Sequence, residues 1–327
     1  MNDSQLLVMD SSGGGVYDLS EIAGKISCQS AWNNGASIFK FSYPRQGGRR
    51  FSNGSTVTFR YKGAPIFYGY LQSTKGSRES FDAVAADQLR YFKPTNTILR
   101  KEMPLSSWIN TVAAQVSDND RIRLGNIAGT AGNLEKKMFD SKTHLDMIYD
   151  GIQEQLGMTG DWYTLYDDFG ALALKDTLDL RLPLVIGDES LCTDFAYTAS
   201  IDDDNVANYI KLAQDDKEAG VRKIYVAQDG ANISTWGKIM HYHKVTTNRN
   251  PAQMQELAQM LLVLKNKEAK TLRLKALGDT RVRGGSGVKV ELKDERLNGW
   301  MIVDSVTHKF TSSQHTMDLN MRWGEWT

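Results

Sequence analysis

Apolar and polar residues alternate along this chain in two rhythms, and the rhythm changes twice. Up to residue 93 the period is mostly two. Its segments are "GKISCQSAW", "ASIFKFSY", "STVTFRYKG", "APIFYGYLQST" and "ESFDAVAAD". Period two marks strands with one buried face, and the Gly-, Asn- and Ser-rich breaks recur roughly every 8–12 residues, the spacing of a small barrel or sandwich. "DQLRYF" is a short helical exit, and Pro94 marks a boundary. From 94 to 187 helical spacing takes over. "PLSSWINTVAAQV" puts Leu105, Trp108, Ile109, Val112 and Val116 on one face, and "KTHLDMIYDGIQEQLG" does the same with Leu145, Ile148, Tyr149, Ile152 and Leu156. Thr143 is the expected N-cap of the second helix, with Asp146 at N3 and Gly157 as its stop. "WYTLYDDFGALALKD" predicts a hairpin turning at Asp167–Gly170.

From 188 to 327 the chain returns to strands, with one helix. "NPAQMQELAQMLLVLKNK" carries Asn250 as N-cap, Pro251 at N1 and Gln253 at N3, a capping box. Met254, Leu257, Ala258, Leu261 and Leu262 form its apolar stripe, over about 250–266. Strands precede it ("ANYIKLA", "KIYVAQ", "KIMHYHKV") and follow it ("KTLRLKALG", "GSGVKVELK"). The expected class is therefore mainly β, with an α+β segment at 94–187 between β segments 1–93 and 188–327.

The end of the chain, "GWMIVDSVTHKF" followed by "TSSQHTMDLNMRW", reads as a hairpin. Met317, Leu319, Met321 and Trp323 alternate with polar residues, whereas Trp300 to Val303 are apolar without a break. Asp304 and His308 stand four apart, which looks like an acid–histidine pair. On a strand that spacing is roughly 13 Å, so the two are expected to face the same way without touching. His308 is expected to pack beside Trp300, Ile302, Val306 and Phe310.

Composition narrows the function classes. The 327 residues contain 39 basic and 39 acidic side chains, so the net charge is zero and the basic excess of a nucleic-acid binder is absent. Cys28 and Cys192 fit no metal or redox spacing and are expected as buried free thiols. The N-terminus has no signal-peptide pattern, and no window reaches the roughly 18 apolar residues of a membrane span. No membrane anchor is expected.

Each candidate for chemistry has a simpler explanation. His241 and His243 share a strand face, but a metal needs further ligands and only His144, His308 and His315 remain. Asp202 to Asp204 lack the spacing and closing Glu of a calcium loop. Arg283 to Lys289, "RGGSGVK", is Gly-rich but sits between strands, which makes it a tight turn and no phosphate loop. Asp167 and Asp168 are turn residues, although they could be offered as glycosidase carboxylates. Trp162, Tyr163 and Tyr166 could form a sugar platform or pack on the helices. The residues alone assign no catalytic, cofactor-binding or metal site.

Several segments nevertheless occur together in a telling order. They are "FDAVAADQLRYF", "KTHLDMIYDGIQEQLGMTGDWYTLYDDFGALALKD", "YTASIDDDNVANYIKLAQ", "DGANISTWGKI", "NPAQMQELAQMLLVLKN", "TLRLKALGD" with "VRGGSGVKVEL", and "GWMIVDSVTHKF". From about residue 16 onward the succession resembles the baseplate hub proteins of contractile phage tails and phage-tail-like bacteriocins. The resemblance implies two tail-tube-like β-barrel domains, in 1–93 and 188–327, flanking the α+β domain at 94–187. It implies a structural protein, no enzyme, that forms a homotrimeric ring of six tube-like positions. The partners it implies are a spike protein, the tail tube or a tube-initiator protein, neighbouring baseplate proteins and a LysM-type tail protein. The place it implies is a virion or tail-like particle assembled in the bacterial cytoplasm. A wall hydrolase appended to such a core is not expected here. The rival readings are a carboxylate-dependent peptidoglycan hydrolase and a cell-wall-binding module built on Trp162 to Tyr166.

Overall fold

Alternation in the first third of the chain produces an antiparallel sheet with an aromatic interior. In this computed structural model residues 4–45, 49–116, 121–202, 205–216, 220–245 and 250–323 are described. Strands β1 (Ser4–Met9), β2 (Val16–Asp18), β3 (Gly24–Ala31), β4 (Ile38–Pro44), β5 (Thr56–Tyr61), β6 (Ala64–Gly76) and β7 (Ser80–Ala86) pair in the order β3-β4-β7-β6-β5-β1-β2. Every second residue points inward, so Phe39, Phe41, Tyr43, Phe59 and Phe81 meet in one buried cluster. Each such ring contributes roughly 1.5–3 kcal/mol by leaving water. Lys62 and Gly63, both at positive φ, make the two-residue turn between β5 and β6. "DQLRYF" becomes a 3-10 turn over Gln88–Phe92, capped by Asp87.

The middle segment adds β8 (Thr95–Arg100), α1 (Leu105–Val116), β9 (Leu124–Ile127), β10 (Lys137–Thr143), α2 (His144–Thr159), β11 (Tyr163–Asp167) and β12 (Leu172–Asp176). β11 and β12 form the expected hairpin, turned by Phe169 and Gly170 at positive φ. β9 joins β12 in parallel. The helices bury Leu105, Trp108, Ile109 and Val112 against Leu145, Ile148 and Ile152. Thr143 caps α2 by accepting from the Asp146 N–H at 3.0 Å. The helix does not stop at Gly157. It runs to Thr159 and ends at Gly160, whose φ of 78° supplies the left-handed cap. Arg100, fully buried, pairs with Glu154 and donates to the Glu135 carbonyl at 3.0 Å.

β13 (Arg181–Gly187) and β14 (Cys192–Ser200) follow. Then come β15 (Tyr209–Asp216), β16 (Val221–Gln228), α3 (Gly230–Trp236), β17 (Met240–Val245) and α4 (Pro251–Lys265). β15 to β17 make a separate sheet, in the order β16-β15-β17. One face of it packs on Met254, Ala258 and Leu262 of α4, with Leu257 and Leu261 half-buried alongside. Both halves of the α4 capping box are formed. The chain ends with β18 (Ala269–Leu277), β19 (Gly287–Leu292), β20 (Leu297–Phe310) and β21 (His315–Trp323).

The protein is mainly β, 51% strand and 20% helix. Its compact units are cut differently from the expected segments 1–93, 94–187 and 188–327. One unit holds Met1–Ala196 with Arg273–Thr327, and the other is Tyr197–Leu272. The reason lies in β20. Its first part, Leu297–Ile302, pairs with β19, while Ser305–Phe310 pairs with β3, so strand pairing ties the last strands to the first. Among the described residues the path of the large sheet is open, with β2 and β14 at its ends.

Candidate functional site

β20 carries the acid–histidine pair, and a bulge separates its members. Val303 lies opposite Met321, and Ser305 opposite Asn320, which leaves Asp304 as the extra residue. The bulge resets the alternation, so the two side chains do not share a face. Asp304 turns outward and accepts from Arg322 at 2.7 Å, whereas His308 turns into the core beside Val306 and Phe310. Trp300 and Ile302 belong to the part of β20 paired with β19.

His308 uses both ring nitrogens. Nε2 lies 2.9 Å from the Val282 carbonyl and Nδ1 lies 2.9 Å from Nε2 of His315. A carbonyl only accepts, so His308 Nε2 carries the hydrogen and Nδ1 accepts from His315. Both rings are neutral in this arrangement. Burial lowers the pKa of each, and that of His315 falls to about 4.

A buried carboxyl pair lies on the same seam. Asp87 accepts from the N–H groups of Ser37 at 2.7 Å and Leu89 at 2.9 Å. Asp167 accepts from the Gln88 amide and from the Gly170 N–H. Burial, and then the charge of Asp167, push Asp87 up to about 7. Burial pushes Asp167 up to about 6, against the pull of Gln88, Gly170 and Arg283. The Arg283 guanidinium lies 4.3 Å from the Tyr166 ring centre. A small cavity of about 60 Å³ is lined by Cys28, Ser30, Ser37, Asp167, Arg283 and His308. Burial raises the Cys28 thiol to about 12, which keeps it protonated and unreactive.

The glycines of "RGGSGVK" serve close approach. A Cβ on Gly284 would stand 2.4 Å from the Ala31 carbonyl carbon, and Gly285 has φ 89° with Thr164 against it. This turn therefore presses the β18–β19 connection onto β3 and β11. That need is invisible in sequence, because the crowding residues are far away along the chain.

A second, open cleft of about 350 Å³ lies where the β3–β4 turn, α2, β11 and the Asp304–Arg322 pair meet. Trp32 and Trp162 stack there, ring centres 5.1 Å apart and planes 11° apart. The Trp32 N–H donates to Thr164 Oγ1 at 2.9 Å, and Asn33 both donates to the Tyr163 carbonyl and accepts from the Leu165 N–H. Of the three aromatic candidates, Trp162 reaches this cleft exposed, Tyr163 is buried in its wall, and Tyr166 lies elsewhere under Arg283. Trp32 and Asn33 were not singled out from sequence. "WNNG" shows only a turn.

The remaining candidates are scattered. His241 and His243 stack 6.3 Å apart on β17. His144 binds the Pro94 carbonyl at 2.8 Å. Among the described residues no group of three His, Cys, Asp or Glu could hold a metal, and no helix is long and apolar enough to cross a membrane. Asp203 and Asp204 lie outside the described residues, as does the side chain of Trp323. Cys192 is only half-buried, contrary to expectation, and both thiols are free.

The fold is that of phage tail proteins. The 43 kDa tail protein of prophage MuSo2 from Shewanella oneidensis matches with a TM-score of 0.68, over 98% of this chain and 96% of that one, at 10% identity. In sequence, YqbQ of Bacillus subtilis (strain 168) is 26% identical over 83% of this chain and 81% of its own. The phage-like element PBSX protein XkdQ of the same strain is 25% identical over 83% and 82%. The sequence model of the YQBQ-like family covers residues 26–322, and the chain belongs to that family.

Proposed function

We propose that this chain is the baseplate hub of a contractile phage tail or tail-like particle, a structural adaptor between a sixfold tube and a threefold spike. The observation that carries the reading is β20. One continuous strand pairs with β3 through Ser305–Phe310 and with β19 through Leu297–Ile302, so strands from the two ends of the chain are joined in one large sheet that can act as a single structural block. In the proposed arrangement segments 1–93 and 188–327 supply two tube-like barrels, and 94–187 decorates them. A closed ring of one chain type has as many equivalent interfaces as subunits. Three chains with two similar barrels each supply six tube-like positions with threefold symmetry, which reconciles tube and spike.

The partners follow from that position: two further copies, the spike, the tube or its initiator, and neighbouring baseplate proteins including a LysM-type tail protein. The role is non-enzymatic. It is supported by the similarity to phage-like element and tail proteins. Cryo-electron microscopy of the intact tail tip tests it. Three copies around one channel are expected. Six copies per ring, or one β module per chain facing the channel, would overturn the adaptor.

A further inference from the structure

The Trp32–Trp162 cleft has the chemistry of a ligand site, and we infer that it binds a neutral saccharide. Its volume of about 350 Å³ falls within the roughly 300–1,000 Å³ typical of small-ligand clefts. Four observations define what fits. The first is a flat aromatic platform of fixed orientation. The Trp32 ring is pinned by its N–H bond to Thr164, Trp162 stacks on it, and Trp162 remains 37% exposed. Exposed stacked indoles present the face that the C–H side of a pyranose ring covers.

The second is the set of groups around the platform. Asn34, Gln153, Asp304 and Arg322 line the cleft. Amide, carboxylate and guanidinium are planar groups that pair with two neighbouring hydroxyls at once. The third is charge. Asp304 and Arg322 bind each other at 2.7 Å, and the guanidinium lies 5.7 Å from the Trp32 ring centre. Each charge is already compensated, so the cleft selects neither a cation nor an anion. The fourth is the apolar lining of Ile152, Leu156 and Tyr163, against which the C–H face of one ring can rest. A hydroxyl-rich, uncharged ring satisfies all four. The proposal does not rest on the hub reading, since every residue named belongs to a single chain.

The test is a tryptophan-emission titration of the full chain with N,N′,N″-triacetylchitotriose, cellotriose and maltotriose in parallel. At least one should give a saturable change. Trp162→Ala should weaken binding about tenfold or more, and Gln153→Ala should weaken it by a smaller factor. Trp236→Ala, in the other compact unit, should leave it unchanged. Circular dichroism verifies that each variant is folded. Should Trp162→Ala fail to fold, Trp162→Phe carries the test, with weaker binding expected from its smaller ring. Absence of a saturable change with all three sugars, or undiminished, wild-type binding by the folded Trp162 and Gln153 variants, would overturn the site. Failure here leaves the ring symmetry untouched, and the reverse also holds.

Discussion

Acid should weaken the seam at His308 and His315, and one substitution isolates the effect. His315 stacks on Phe310 at 4.3 Å, meets Tyr61 edge-on at 5.2 Å and is 8% exposed. Burial first, then His308 and Lys62, hold its pKa down to about 4, with Asp279 opposing. A lowered histidine pKa means that the unfolded chain binds the extra proton between about pH 4 and 6.5. The stability contributed by the neutral ring is complete above the unfolded value and is lost as pH falls towards the folded one. Going from about pH 7.5 to about pH 5 titrates about 1.5 units of that window, at roughly 1.4 kcal/mol per unit, a loss of about 2 kcal/mol. His315→Phe keeps a packed ring and abolishes this titration. It leaves Nδ1 of His308 without its donor, so the variant should be weaker near neutrality by about 1–3 kcal/mol. Subtracting the two stability curves cancels the other titrating groups to first order. Denaturant unfolding across the pH range should show the gap narrowing by about 2 kcal/mol on acidification. A gap that stays constant would refute the neutral, hydrogen-bonded pair.

Other consequences are equally direct. Asp87 and Asp167 have raised pKa values, so the folded chain holds the extra protons, and stability falls as pH rises from about 4 and levels off above about 6 to 7. Asp167→Asn removes one of the two titrations and should flatten that decline in the same unfolding assay. Gly284→Ala drives a Cβ into the backbone of Ala31 and Trp32, and should cost about 1–3 kcal/mol or more, seen as a lower Tm. Arg100→Ala strands Glu154 beside a void under Trp108 and Phe139, and should cost about 3–5 kcal/mol by thermal unfolding. Zymography on bacterial cell wall should show no cleared band from the purified chain. A band would overturn the structural role.

Local rules carried the reading where one element satisfies itself. The α4 capping box, the Thr143 cap, the Asp167–Gly170 hairpin turn and the strands over 24–86 were legible, because caps, turns and period-two faces involve neighbours in sequence. Succession of segments was enough to indicate the family. β1, β2, β8, β9, β10, β13, β14 and α3 leave no clear mark in the sequence, since most are short and take their stability from partners elsewhere in the chain. The bulge at Asp304 could not be read either. It lies where one edge of β20 changes partner from β19 to β3 while β21 runs along the other edge, an arrangement set by distant strands. Likewise "WNNG" predicts a turn, but its stacking on Trp162 depends on a contact spanning well over a hundred residues. Sequence by itself determined the longer periodic strands, the three long helices and the caps of two of them, because those choices are set by periodicity and short-range hydrogen bonding. Tertiary structure alone decided which buried carboxyls and imidazoles meet and where the open cleft lies, because burial and proximity arise only when distant strands pair.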